Sequence, residues 1–143
     1  MSTIEEILMV KGPDVVVAPS ETSVTQAAKL MAEAKVGSLI VKDGDAVKGI
    51  FTERDLLQRV VARGRDPEAT GVSEVMSSPV EECRLADDTD MVADRLTSRH
   101  IRHLAVIEEG ALVGMISLRD VMAAKVRDQQ QRIQDLKEKA GED

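Results

Sequence analysis

Two hydroxyl–carboxylate pairs have the residue types and spacing to hold a ligand: Thr52 with Asp55, and Ser117 with Asp120. Each closes a heptapeptide of one pattern, GIFTERD (Gly49–Asp55) and GMISLRD (Gly114–Asp120), with Arg54 or Arg119 just before the acid. If such a heptapeptide leads from a strand into a helix, its hydroxyl can donate to a phosphate. The helix start favours anions there through its backbone N–H groups and dipole. The aspartate one turn on can accept from both hydroxyls of a ribose. One helix start can thereby hold the phosphate and sugar of a nucleotide. The same spacing is also that of a helix cap, with a hydroxyl at the N-cap and an acid three residues later. Capping and binding are compatible.

The heptapeptides begin at residues 49 and 114, an offset of 65. That offset carries Ala28 to Ala93, Val36 to Ile101, Leu39 to Leu104, Val41 to Val106 and Ala46 to Ala111. No gap is needed between residues 15 and 57 and their partners, so the chain is an internal duplication. In the first copy Asp14–Ala18 is a β-branched run. Val24, Ala27, Ala28, Leu30, Met31 and Ala34 then recur near helical spacing, behind Thr22 or Ser23 as cap and ahead of Gly37. Ser38–Val41 and Ala46–Phe51 flank a glycine turn, and Thr52–Gly64 reads as a helix. The second copy repeats the order with Pro79–Cys83, a helix from Thr89 to His100, a hairpin of His103–Ile107 and Ala111–Ile116, and a helix from Ser117.

One copy of about 60 residues would leave too much apolar surface in water. The expected fold is therefore α+β: two β-α-β-β-α repeats packed sheet to sheet with pseudo-twofold symmetry, plus short N-terminal and C-terminal helices. Thr3 and Glu6 have capping-box spacing at the first of these. The expected boundaries are an N-terminal helix over 1–10, a first repeat over 11–64, a polar linker over 65–75, a second repeat over 76–124, and a charged helix or tail over 125–143.

Composition narrows the function. The chain has 143 residues, 43% hydrophobic and 31% charged, with one Phe and no Trp or Tyr, so Val, Ile, Leu, Met and Ala must fill the core. A net charge of −7 argues against nucleic acid and anionic membranes as partners. No run reaches the roughly 18 apolar residues of a membrane span. A single cysteine, Cys83, cannot form an internal disulfide and points to a reducing, cytoplasmic setting. No His or Cys cluster has zinc spacing, so no metal is expected.

The doubled pattern resembles the tandem cystathionine-β-synthase (CBS) domain pair, or Bateman module, over roughly Val10 to Ala124. MSSPV (Met76–Val80) and RHIRHLAV (Arg99–Val106) add to the likeness, while Ile40 and Ala105 stand where the family usually has proline. The resemblance implies an adenosine-containing ligand: AMP, ADP, ATP or NAD/NADH, with S-adenosylmethionine last among them. It also implies up to two sites in a cleft between the repeats. Thr52 and Asp55 would serve one as phosphate and ribose contacts, and Ser117 and Asp120 the other. Val15 and Val80, with the helix-to-strand junctions Val36, Gly37, Ser38 and Ile101, Arg102, His103, would line the adenine. Arg54 and Arg119 would add charge to either site. Arg99, Arg102 and His103 replace Ala34, Gly37 and Ser38 of the first copy, so a di- or triphosphate, or the second half of a dinucleotide, is expected at the second junction.

By the same likeness the chain would be a stand-alone regulatory module, homodimeric through helix faces carrying Leu56, Leu57, Val60, Val121, Met122 and Val126. It would read an energy or redox state for an unidentified target protein. A catalytic barrel does not fit beside a complete module in this length, so no enzyme activity is expected. The competing reading is a ligand-free structural or adaptor module whose motifs are only caps. Beyond the module, Met122, Val126, Gln129, Ile133, Leu136 and Ala140 have heptad-like spacing. That helix either packs on its own module or supports a dimer.

Overall fold

A computed structural model describes residues 2–141. After helix α1 (Ile4–Lys11), the first copy runs β1 (Val17–Ala18), α2 (Val24–Ala34), β2 (Ser38–Asp43), β3 (Ala46–Thr52) and α3 (Glu53–Asp55). Helix α3 continues as a π-helix over Leu56–Val61. A 3₁₀ turn at Val72–Glu74 precedes the second copy: β4 (Glu82–Cys83), α4 (Thr89–Ser98), β5 (His103–Glu108), β6 (Ala111–Ser117) and α5 (Leu118–Gly141). The β-α-β-β-α order is thus present twice.

Each copy builds one three-stranded sheet, ordered β1-β2-β3 or β4-β5-β6, with a parallel first pair and an antiparallel second pair. The hairpins correspond residue by residue. Ser38 faces Thr52 and His103 faces Ser117, and each hairpin has a register shift at the same point, after Val41 and after Val106. The first strands are shorter than their β-branched runs. They are edge strands paired on one side only, and Pro19, which has no N–H, follows β1 directly. Helix α4 stops at Ser98 rather than His100, because His100 turns to a positive φ of 55°. Its counterpart Lys35, at φ 57°, ends α2 the same way.

The compact units are not the two sequence copies. One unit is Asp14–Val80; the other joins the residues up to Pro13 to those from Glu81 onward. Ile4, Ile7 and Leu8 of α1 therefore lie in a core with Leu96, Leu104, Val106, Ile116 and Val121. In the other unit Val72 and Val75, from the stretch between the copies, lie in a core with Val24, Leu39, Phe51 and Val60. Each unit takes the segment that opens the other copy. The heptapeptide glycines make room for it. A Cβ on Gly49 would stand 2.5 Å from Met76 Sδ and 2.8 Å from the Ser77 carbonyl oxygen, and one on Gly114 would stand 2.8 Å from a Leu8 methyl.

Candidate functional site

Both hydroxyl–carboxylate pairs form reciprocal caps at strand-to-helix junctions. The Asp55 N–H donates to Thr52 Oγ1 (3.2 Å) while the Thr52 N–H donates to Asp55 Oδ2 (3.1 Å). Ser117 and Asp120 do the same at 3.1 and 2.9 Å. The first helical N–H is also engaged: Glu53 donates to the Gly37 carbonyl (3.0 Å) and Leu118 to the Arg102 carbonyl (2.8 Å). The helix starts thus offer an anion fewer N–H groups than the motif alone suggests. Each cap oxygen accepts in its reciprocal bond, so the O–H proton of Thr52 or Ser117 is the donor that each junction can turn toward a phosphate.

The same bonds gather the expected site residues unit by unit. Gly37 and Ser38 lie beside Thr52 in one unit, and Arg102 and His103 beside Ser117 in the other. Val15 sits just ahead of β1, where the Val16 carbonyl accepts from the Ile40 N–H (2.9 Å). In the other unit the equivalent acceptor is the Glu81 carbonyl, bonded by the Ala105 N–H (2.9 Å), whereas Val80 is the last residue of the Asp14–Val80 unit. Val36, Arg54, Arg102 and Arg119 are exposed, Ile101 and His103 are half-buried, and Ser38 is buried. Arg99 is engaged: its guanidinium lies 2.7 Å from a Glu81 carboxylate oxygen.

The surroundings of the two aspartates differ. Asp55 is buried, with Ser77 Oγ donating to Oδ1 (3.0 Å) and Arg59 Nε 3.7 Å away. Arg59 also donates to the carbonyls of Val75 and Met76 (3.3 and 2.7 Å) and so ties the π-helix to the segment ahead of β4. Asp120 is half-buried, and Lys11 Nζ donates both to its Oδ2 (2.8 Å) and to the Met115 carbonyl (2.9 Å). Burial pushes the Asp120 carboxyl up, but the Lys11 ammonium and the Ser117 bonds outweigh it and hold the carboxyl below the usual range. At the first junction the Glu53 carboxylate covers Gly37, 3.2 Å from where a Cβ would stand. The equivalent residues of the second junction are Leu118 and Arg102. One junction is therefore lined by an acid and the other by Lys11 and Arg102.

Lys11, Ser77, Arg59 and Glu53 were not among the expected site residues. Lys11 and Ser77 stand at the openings of the two repeats (11–64 and 76–124), ahead of the stretches that align at the common offset. Among the described residues, no group of His, Cys, Asp or Glu is gathered in a way that could hold a metal.

The CBS-domain pattern matches residues 4–62 and again 72–127. The chain belongs to the CBS-domain family. It is 32% identical over 122 residues to a mitochondrial CBS domain-containing protein of Arabidopsis thaliana, covering 82% of this chain and 59% of that relative. The crystal structure of a CBS-domain-containing protein from Agrobacterium tumefaciens superposes with a TM-score of 0.82 at 36% identity, over 87% of this chain and 99% of that one. A CBS domain protein of Pyrobaculum aerophilum, solved in complex with AMP, matches with a TM-score of 0.74 at 27% identity, over 83% of this chain and 89% of that one. The family's two matched stretches do not coincide with the two compact units: 4–13 belongs to the unit of the second match, and 72–80 to that of the first. No helix among the described residues is long and apolar enough to cross a membrane.

Proposed function

We propose that this CBS pair is a regulatory module that binds an adenosine-containing ligand (AMP, ADP, ATP or a NAD-type dinucleotide) at its strand-to-helix junctions, with the Ser117–Asp120 junction as the stronger site. The observation that carries this is the grouping at that junction. A hydroxyl can donate to phosphate, a half-buried carboxylate is set to accept from ribose, and the Lys11 ammonium and the exposed Arg102 supply cations. The Thr52–Asp55 junction has the same cap, but its acid is buried and Glu53 lies over Gly37, which weakens it for an anion. The AMP complex of the Pyrobaculum protein supports the ligand class.

Regulation would follow if ligand shifts an equilibrium between arrangements of the module and of its homodimer. Val60 and Val121 are fully buried in the cores and offer nothing to a partner. The exposed apolar residues that support self-association are Leu57, Val61, Met91 and Met122. Calorimetric titration of the chain with AMP, ATP, NAD, NADH and S-adenosylmethionine tests the reading. Saturable binding by one of them, abolished by Asp120→Ala and little changed by Asp55→Ala under conditions where that variant stays folded, is the expected outcome. No binding by nucleotide-free protein would leave the heptapeptides as caps of a structural module.

A further inference from the structure

Helix α5 runs 24 residues, and its buried residues, Val121 and Ala124, lie in its first two turns. From Val126 onward every described residue is exposed, and Asp128 Oδ2 accepts from the Ser2 hydroxyl (2.8 Å). On that extension Val126, Gln129, Ile133, Leu136 and Ala140 alternate spacings of three and four, which places them along one stripe. Val126 is 50%, Ile133 54% and Leu136 62% exposed, so the stripe keeps its large apolar groups in water. A narrow seam of this kind fits one partner helix rather than a broad surface.

The charges beside the seam decide which helix. With Val126, Ile133 and Ala140 as a positions and Gln129 and Leu136 as d positions, the flanking g positions are Lys125, Arg132 and Lys139, and the e positions are Gln130 and Lys137. No acid stands at either edge. In a parallel pair with a second copy, Arg132 would meet Lys137 of that copy. In an antiparallel pair, Arg132 would meet Arg132, and Lys139 would meet Lys125, which pairs with Asp90 (3.5 Å). Both arrangements set like charges together. The acids of the extension, Asp128, Asp135 and Glu138, lie away from the seam. Gln131 Nε2 donates to Asp135 (2.9 Å) and Gln134 Nε2 to Glu138 (3.2 Å). Among the described residues Arg132, Lys137 and Lys139 have no ion pair. An anionic lipid surface fits less well. Four bases (Arg127, Arg132, Lys137, Lys139) stand against three acids over residues 126–141, and no aromatic is present to enter an interface.

We infer that the α5 extension is a docking helix for another protein, and that its occupant is an amphipathic helix with an apolar seam and acidic flanks. Seam contact supplies the attraction, and Arg132, Lys137 and Lys139 select the partner by charge.

The test uses the full chain and two labelled 21-residue synthetic helices with Ile at a and Leu at d, one with Glu and the other with Lys at every e and g, read by fluorescence anisotropy. The Glu peptide is expected to bind saturably and at least about tenfold more tightly than the Lys peptide, and to weaken as salt rises. Ile133→Ser with Leu136→Ser, changes at residues more than half exposed that should leave the melting temperature unaltered, should abolish binding. Reversal of Arg132, Lys137 and Lys139 to Glu should invert the order of the two peptides. Equal binding of the two peptides, or binding of neither, overturns the inference. So does light scattering in which the Ile133→Ser and Leu136→Ser variant alone loses self-association, since the seam would then be covered by a second copy. Sedimentation with phosphatidylglycerol vesicles that depends on Ile133 and Leu136 overturns it in favour of a membrane.

Discussion

Asp55 and Asp120 occupy equivalent positions 65 residues apart, carry the same reciprocal cap, and have different neighbours. In the Asp14–Val80 unit the incoming segment lays its backbone along β3. The Ile50 N–H donates to the Ser77 carbonyl (2.9 Å), the Ser77 N–H donates to the Ile50 carbonyl (2.8 Å), and the Ser77 hydroxyl reaches Asp55. In the other unit the carbonyl of Met115, the counterpart of Ile50, and the carboxylate of Asp120 are both bonded by the Lys11 ammonium. One segment seals its aspartate with a neutral hydroxyl and close backbone packing. The other leaves the aspartate half-buried beside a partly exposed ammonium. A motif duplicated in sequence thus becomes a structural anchor in one unit and a candidate binding group in the other, and the difference lies in residues outside the motif.

The comparison can be broken most directly at the aspartates. Asp55→Ala removes a cap and strands the Ser77 hydroxyl, so it should cost about 2–3 kcal/mol in urea unfolding. Asp120→Ala should cost about 1 kcal/mol, because its remaining partner is a partly exposed lysine. Equal losses would show that the two junctions are energetically alike. The glycines come next. Gly49→Ala meets a backbone oxygen as well as Met76 and should cost about 1–3 kcal/mol, whereas Gly114→Ala meets only Leu8 methyl groups that can rotate away, and should cost under about 1 kcal/mol.

Lys11→Met sharpens the contrast through pH. Asp120 titrates lower in the folded chain than in the unfolded chain. Its stabilisation is therefore fully present above the unfolded value of about 3.9 and is lost as pH falls through the folded value. The wild-type advantage over Lys11→Met should be under about 1 kcal/mol at pH 7 and should shrink in unfolding curves taken below about pH 4. The smallest effects should be alike in both units. Lys35→Gly and His100→Gly relieve a left-handed backbone at each helix end and should each raise stability by about 0.5–1 kcal/mol in thermal melts.

Much of this architecture is legible in the residues. The offset of 65 places both hairpins in register, and the hydroxyl–acid spacing locates both caps. What escapes is set by contacts remote in sequence. Nothing near Gly114 signals that Leu8 will lie on it, and nothing near Asp120 signals Lys11, because the segments opening the copies do not align at the common offset. Local conformation escapes where an atypical residue carries it. Helices α2 and α4 end on Lys35 and His100 in the left-handed region, where glycine would have announced the turn. The run Leu56–Val61 has ordinary helical composition, yet the Ala62 N–H bonds back to the Leu57 carbonyl (2.9 Å) and the Arg65 N–H to the Val60 carbonyl (3.0 Å), each one residue longer than an α-turn. Among the expected groups, Cys83 has an equally plain setting. It takes the place of Ala18, buried at the end of β4, and burial pushes its thiol up to about 12.

The exchanged opening segments also give the chain an order of assembly. Residues 14–80 are continuous, so on a ribosome that unit has all of its parts as soon as Val80 has emerged. Ile4, Ile7 and Leu8 are made before that unit but find their partners only after it is complete. Their core mates Leu96, Leu104, Ile116 and Val121 are synthesised about a hundred residues afterwards. Until then α1 stays uncovered on the nascent chain, and the unit that holds it closes after the Asp14–Val80 unit.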